Sequence, residues 1–513
     1  MRTFIAYAIL LLVYTSGKGQ DIVRDITFNN DRNTANAVVR CIAVQADQKV
    51  VFFGNFSFYD GMWKPYGTRV LKTGEIDPGF QVLNMDGRAD VVVVQPWDQK
   101  ILIGGGFTTI NGISRKGVAR LHTDGSLDLS FNPGTGIDGA HGGDLRVWDL
   151  VVKDATNPAD RRIIIGGQFE TYNGVPIGEK GGVVQLFENG SRDASYNPRV
   201  EDGGVYALCL DSTNKLLVGG EFWKVGGSFK LRIARLNENG TLDNTFSSGT
   251  GFAGPFASVT SIGLMPDNRI VIGGYFQQFN SITRRGLARL NTDGSLDPSF
   301  NAGDGFQNGT SVHDFATEVR TVLPMADGSV IVGGNFTSYN GTPCGNIIRL
   351  KPDGSLDTGP SFGVGFNEWV MDLKLQAYLP GEARILAGGF FSTYRSIAQG
   401  SLMRMWTPFT LPVGPTSIPV ARPGAKKVHV SFAVFPNPFK ERITIRSLKS
   451  RPVQCTVQLY NTEGKLLLSR QIVAGTGNDI HIAVPASVRK DAVLRIVDAE
   501  GKVQHSSYLI SLQ

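Results

Sequence analysis

Cysteine is scarce: Cys41, Cys209, Cys344 and Cys455 are the only four in 513 residues. They lie more than a hundred residues apart without CxxC spacing, which argues against a zinc site or a disulfide framework. Cys41 and Cys209 sit in apolar strand-like runs and read as small core residues. Histidine is nearly as rare, at six, and none has metal-ligand spacing; no cofactor or metal is expected. Charge of one sign is barely in excess: 51 − 45 gives +6, with Lys and Arg scattered. Without a basic stripe no nucleic-acid partner is expected. Gly-x-Ser-x-Gly, HExxH and Cys/His pairings are absent, so no catalytic residue is assigned and enzymatic activity is not expected.

One apolar run stands out, Phe4 to Val13, behind Arg2 and ahead of Ser16-Gly17-Lys18-Gly19. It is too short to span a bilayer and reads as a signal peptide over residues 1–19, cut after Gly19. No cysteine lies near that point, which argues against lipoprotein processing. After cleavage no integral membrane segment is expected, and the protein leaves the cytoplasm.

What is abundant is turn chemistry: 63 glycines and 24 prolines among 41% apolar residues favour many short strands. A glycine-rich strand ending in phenylalanine recurs seven times, at Phe56, Phe107, Phe169, Phe222, Phe276, Phe336 and Phe391. These phenylalanines are 51, 62, 53, 54, 60 and 55 residues apart, a period of propellers or solenoids. Each unit has an alternating apolar strand, a tight turn, the Gly-Gly-x-Phe strand, an Asn-Gly hairpin and a third strand such as Leu287 to Leu290. It closes on Ser-Leu-Asp-x-x-Phe. The seventh unit lacks that closing motif, and Asp25 and Phe28 near the N-terminus supply it. The expected fold is therefore all-β: a seven-bladed β-propeller of four-stranded blades closed by the N-terminal strand, over residues 20–406.

The repeated features read as scaffold. Gly-Gly-x-Phe lacks the Lys-Ser/Thr of a phosphate loop. Its glycines admit a neighbouring backbone and its phenylalanine fills the seam between blades. The closing aspartate is expected to accept hydrogen bonds from backbone or from the third-strand arginines (Arg69, Arg120, Arg235, Arg289, Arg349, Arg404, with Gln185 breaking the series). As surface pairs these would contribute only about 0–1 kcal/mol each. The Thr-Asp-Gly-Ser turns carry one carboxylate each, too few for calcium. Variation concentrates in two inserted loops, Asn132–Asp144 and Asn301–Asp314, which hold His141, Asp144, His313 and Asp314. Those four are the candidate ligand-binding residues. Trp63, Trp148, Trp223 and Trp369 would form a carbohydrate platform if they converged.

Beyond Trp406 the composition changes to a Pro-rich linker, residues 407–430, and then a small β-sandwich, residues 431–513. Phe435-Pro-Asn-Pro-Phe439, with Pro436, Asn437 and Pro438 as its core, and VQLYNTEGKLL (Val457–Leu467) resemble the C-terminal sorting domain of type IX secretion cargo. Lys490-Asp-Ala492 stands where that family commonly has Gly-x-Tyr. The resemblance implies a partner, the outer-membrane secretion machinery, and a secreted or cell-surface destination across both membranes. The repeats resemble the delta-60 family of propeller-like bacterial repeats, as in ILIGGGFTTINGISRKGVARLHTDGSLDLSF (Ile101–Phe131), a family defined by pattern rather than by activity. Together these give a secreted or surface binding propeller for an unknown glycan or protein ligand. The alternatives are an extracellular hydrolase or lyase with a site in the central pocket, and a purely structural envelope protein.

Overall fold

The computed structural model describes residues 21–25, 27–28, 35–139, 145–308, 317–379 and 382–406, and the tail strands between 432 and 509. The signal-peptide segment, the linker, His141, Asp144, His313, Asp314, Pro436, Asn437 and Pro438 lie outside the described residues. The chain divides into two compact units, residues 1–376 with 383–418, and residues 377–382 with 419–513.

In the first unit seven repeats share one plan. The second repeat shows it: a first strand, Ala89–Val94, pairs with the glycine-rich second strand, Ile101–Gly105, which pairs with the third, Val118–Leu121. A separate small hairpin, Thr109–Ile110 with Ile113–Ser114, sits between the second and third strands in sequence. Its Asn111-Gly112 turn has φ of 52° and 76°, the left-handed pair that a two-residue hairpin requires. The segment ahead of each repeat adds to the hairpin, as Ile137–Asp138 does to Thr171–Tyr172 and Phe306–Gln307 to Ser338–Tyr339.

This corrects the expectation of seven four-stranded blades closed into a propeller. The described strands form many small antiparallel sheets, none of which closes or curls into a propeller barrel. Six repeats have three-stranded main sheets; the seventh alone has four, in the order Val23–Arg24, Leu402–Trp406, Glu382–Gly389, Val370–Leu379. The reason lies in the closing motif. It makes a single bridge to the third strand, as Leu127 does to Leu121, and then its aspartate turns the chain away. Asp128 Oδ1 accepts the Ser130 N–H at 2.9 Å, a side-chain turn that competes with a further ladder.

The aspartates do more than make turns. Asp128 Oδ2 takes Arg120 Nε at 2.7 Å, Asp243 takes Arg235 at 2.7 Å and Asp297 takes Arg289 at 2.6 Å. The same arginines reach the next repeat: Arg120 donates to Glu188 O, Arg235 to Thr292 O and Arg289 to Pro352 O, each at 2.6 Å. The closing phenylalanine lies under the guanidinium, 4.7 Å away for Arg289 and Phe300. These are not the exposed pairs expected from sequence, since Arg289 and Arg404 are only 1% exposed. Removing one partner of such a buried pair costs about 3–5 kcal/mol, several times a surface bridge. At the N-terminus Asp25 and Phe28 meet Arg404: Nε lies 2.9 Å from Asp25 Oδ2 and the guanidinium 4.7 Å from the Phe28 ring.

All seven signature phenylalanines are buried. Phe336 packs on Phe306 and Phe391 on Phe366, at centroid distances of 4.3 and 4.1 Å, so the ring joins each main sheet to its hairpin sheet. The first glycine of each pair faces the next repeat. A Cβ on Gly219 would lie 2.4 Å from Val259, on Gly273 2.5 Å from Val319 and on Gly388 2.7 Å from Val39. The first repeat departs, with Phe53 in the glycine position. There the paired third-strand residue shrinks to Gly67, and the next repeat offers Ala89 where others have valine.

In the second unit the described strands form two antiparallel sheets. One orders Phe432–Phe435, Arg442–Ser447, Asp479–Ala483; the other Leu466–Ala474, Val453–Asn461, Ala492–Asp498, Val503–Leu509.

Candidate ligand-binding site

The second glycine of each pair answers a different demand. A Cβ on Gly105 would fall 2.3 Å from Arg88 O, and one on Gly274 2.2 Å from Ser258 O. That carbonyl is pushed in by a β-bulge, because the first strand slips register opposite the second glycine and the residue before it in six repeats. A bulge re-aims one side chain. The bulged residues are Arg40, Asp90, Trp148, Tyr206, Thr260 and Arg320, different in nearly every repeat.

Five of these six side chains meet one another or charged neighbours from their own strands. Asp90, its side chain 3% exposed, lies 3.0 Å from Arg88 Nε and 3.5 Å from Arg40 Nη1. Arg146 reaches Asp90 at 3.7 Å and lies over the Trp148 ring at 4.7 Å. Trp148 meets Tyr206 edge-on, with centroids 5.6 Å apart and planes at 78°. Arg320 pairs with Glu318 at 3.0 Å and lies over Trp369 at 5.4 Å. Burial pushes the Asp90 carboxyl up despite Arg88, Arg40 and Arg320, and pushes Glu318 up despite Arg320. Burial, together with Glu221, raises the Tyr206 hydroxyl. Tyr206 also senses Glu318 and Arg320, and Arg40 senses Arg320, so side chains from the first, fourth and sixth repeats face a shared space.

One position further along the first strands lies a second polar layer. Asp149 Oδ2 accepts the Leu208 N–H at 2.7 Å and Asp372 Oδ2 accepts the Ile42 N–H at 2.8 Å, each joining two repeats. Lys374 Nζ lies 2.7 Å from Asp372 Oδ1 and keeps 44% of its side chain in water. Burial outweighs two backbone hydrogen bonds and the Lys374 charge at Asp149, pushing its carboxyl up to about 6. Two clefts between repeats, about 360 Å³ around Lys49 and Arg69 and about 470 Å³ around Lys215 and Arg235, lie instead at the Asp-Gly turns. Their charged groups are already engaged in the Arg–Asp contacts.

Of the four tryptophans, Trp148 and Trp369 belong to the bulge cluster. Trp63 and Trp223 stand on two separate hairpins, beside Phe58 and Arg232. Among the described residues no group of three or more His, Cys, Asp or Glu could hold a metal ion. A comparison of the repeats with one another offers a signal: the two residues after the first-strand valine or alanine vary, while that residue and the aliphatic one beyond them do not.

A family model described as a domain of unknown function (DUF5122) beta-propeller matches residues 98–131, 159–196, 212–246, 266–300 and 326–359. A second, the secretion system C-terminal sorting domain, matches residues 433–490. This is a secreted or cell-surface protein. It carries beta-propeller-like repeats and a tail typical of export through type IX secretion machinery. Among the described residues no helix is long and apolar enough to cross a membrane. No curated protein matches the chain. Among solved structures, dimeric latent PorU from Porphyromonas gingivalis is 12% identical at a TM-score of 0.15, covering 93% of this chain and 33% of that one. The chain thus spans about a third of the PorU structure. A glycoside hydrolase family 43 arabinoxylan arabinofuranohydrolase from Bacillus subtilis is 11% identical at a TM-score of 0.22, covering 91% and 93%. Scores this low assign neither fold nor function.

Proposed function

We propose that the secreted chain is a binding protein rather than an enzyme, and that it takes its ligand on the bulge cluster. The observation that supports this is the pattern of variation. A scaffold copied seven times diversifies at the bulged position and the one after it, and four of the six bulged side chains are arginine, tryptophan or tyrosine, the residues that dominate binding hot spots. We read the repeats as delta-60-like and the sorting tail as the contact to the outer-membrane machinery. His141, Asp144, His313 and Asp314, close in sequence to Arg146 and Glu318, remain candidate ligand residues in this reading.

The test is a glycan array and affinity measurement on the full chain, repeated with Trp148→Ala and Arg40→Gln. A ligand lost in both variants, with thermal midpoints unchanged, supports the reading. A ligand held equally by all three proteins overturns it. A hydrolase or lyase reading draws on Asp90 and Glu318, two carboxyls held above their ordinary range. Shortened glycan products that vanish in Glu318→Gln would favour it instead.

A further inference from the structure

We propose that the bulge cluster recognises a carbohydrate bearing isolated carboxylates, a uronate-type glycan, in preference to a neutral sugar or a dense polyanion. This rests on the binding reading above and names its ligand class.

Three features carry the inference. The first is how the guanidiniums are held. Arg320 lies over the Trp369 ring at 5.4 Å and is held on one side by Glu318, while its Nε is buried without a hydrogen-bond partner. Arg40 is pinned likewise, with Nε 2.7 Å from Asn55 Oδ1. A planar guanidinium fixed in this way presents its remaining N–H edge as a fork matched to a carboxylate. The second is the aromatic set. Trp148, Tyr206 and Trp369 offer apolar ring surface suited to the C–H face of a pyranose, and the Trp148 indole N–H is buried with no acceptor. A hydroxyl or carboxylate oxygen of the ligand would satisfy it. The third is the charge pattern. The cations Arg40, Arg88, Arg146 and Arg320 are interleaved with the carboxylates Asp90, Glu221 and Glu318 rather than massed together. That pattern suits one anionic group at a time, with the carboxylates accepting sugar hydroxyls. Those same carboxylates would repel the neighbouring charges of a chain of closely spaced phosphates or sulfates.

The experiment uses the full chain and three probes of equal length: tetragalacturonate, its methyl ester, and a neutral galactose tetramer. Calorimetric titration is run at low and at high salt. The acid is expected to bind about tenfold or more tighter than the ester, the usual gain when a hydrogen bond acquires a charged partner. High salt should narrow that gap. Arg320→Gln should abolish the preference, and Arg320→Lys, which keeps the charge but not the fork, should retain only part of it. Trp63→Ala, on a distant hairpin, should leave it intact. Equal binding of acid and ester overturns the uronate inference while leaving the site a sugar binder. So does heparin binding in place of galacturonate. If none of the probes binds but the array yields another ligand lost in Trp148→Ala, this inference fails and the binding reading survives. If nothing binds anywhere, both fail.

Discussion

Replacing Asp25 with asparagine isolates what the N-terminal segment contributes to the repeat unit. In the native protein Asp25 Oδ2 receives Arg404 Nε at 2.9 Å and lies 3.4 Å from Arg384 Nε. Its Oδ1 receives the Thr27 N–H and hydroxyl at 3.0 and 2.6 Å. Arg404 is 1% exposed, so the substitution removes the charge that Asp25 places against a buried cation. Loss of one partner from such a pair costs about 3–5 kcal/mol. Arg404 keeps Lys72 O, Gln376 Oε1 and Thr27 Oγ1 as acceptors at 2.7, 2.9 and 3.0 Å, which places the expected loss near the lower bound. Against a domain stability of about 5–15 kcal/mol, that is a large fraction. Urea denaturation of the wild type and Asp25→Asn measures it, with Asp297→Asn as the within-repeat counterpart. The acid limb gives a second readout. Burial alone would raise the Asp25 carboxyl, but Arg404 and the Thr27 hydrogen bonds hold it below its ordinary value. A carboxyl depressed in the folded state stabilises above its unfolded pKa, and that stability is lost as pH falls through the folded one. The wild type should therefore lose stability below about pH 4 more steeply than Asp25→Asn. A loss under about 1 kcal/mol, the range of an exposed bridge, with parallel acid limbs, would refute the reasoning.

Gly67→Val should be destabilising by about 1–3 kcal/mol or more, because a Cβ there would lie 2.1 Å from the Phe53 ring. Phe53→Gly alone should also destabilise, by leaving a cavity. The triple variant Phe53→Gly, Gly67→Val, Ala89→Val rebuilds the pattern of the other repeats and should recover most of both losses. Denaturation midpoints that merely sum would contradict the compensation. At Asp149 the sign is opposite to that at Asp25. A carboxyl raised to about 6 favours the folded state below its unfolded pKa, and that advantage is lost as pH rises from about 4 to 6. Asp149→Asn should flatten the stability profile in that window, read as the thermal midpoint against pH; an unchanged slope would count against it.

The features that repeat were readable because seven copies average away local accident. The period, the Asn-Gly hairpins and the closing aspartate are each visible in the sequence, at Asn111-Gly112 or Asp128, and both turn residues do take positive φ. The number of strands per unit was not readable. Leu127 alternates like a strand residue, but whether it extends a ladder depends on Asp128 capturing the Ser130 N–H, a choice between two local hydrogen bonds of similar strength. The worth of the Arg–Asp pairs was also hidden. Arg289 in LARL looks like a solvent-facing position of an alternating strand, and only the next repeat's Pro352 carbonyl shows that it is covered. Averaging over copies works against recognising a site, because it discards whatever differs between them.

The bulge shows how an invariant motif can serve a variable one. Had the second glycine been alanine, its Cβ would strike the carbonyl two residues ahead of the next slip, 2.3 Å away at Gly105, and the first strand would run straight. Strict alternation would then place the residues at positions 40, 90, 148, 206, 260 and 320 on the face that packs against a neighbouring repeat, where an arginine or tryptophan would have no room. With the bulge they leave the ladder and meet each other instead, as Trp148 meets Tyr206 and Arg40 meets Asp90. The glycine pair therefore permits chemistry that it does not itself carry. The same logic separates two kinds of substitution. Changing a bulged residue that has no buried ion pair, such as Trp148, should alter ligand preference at little cost in stability, whereas changing the glycine opposite it should cost both.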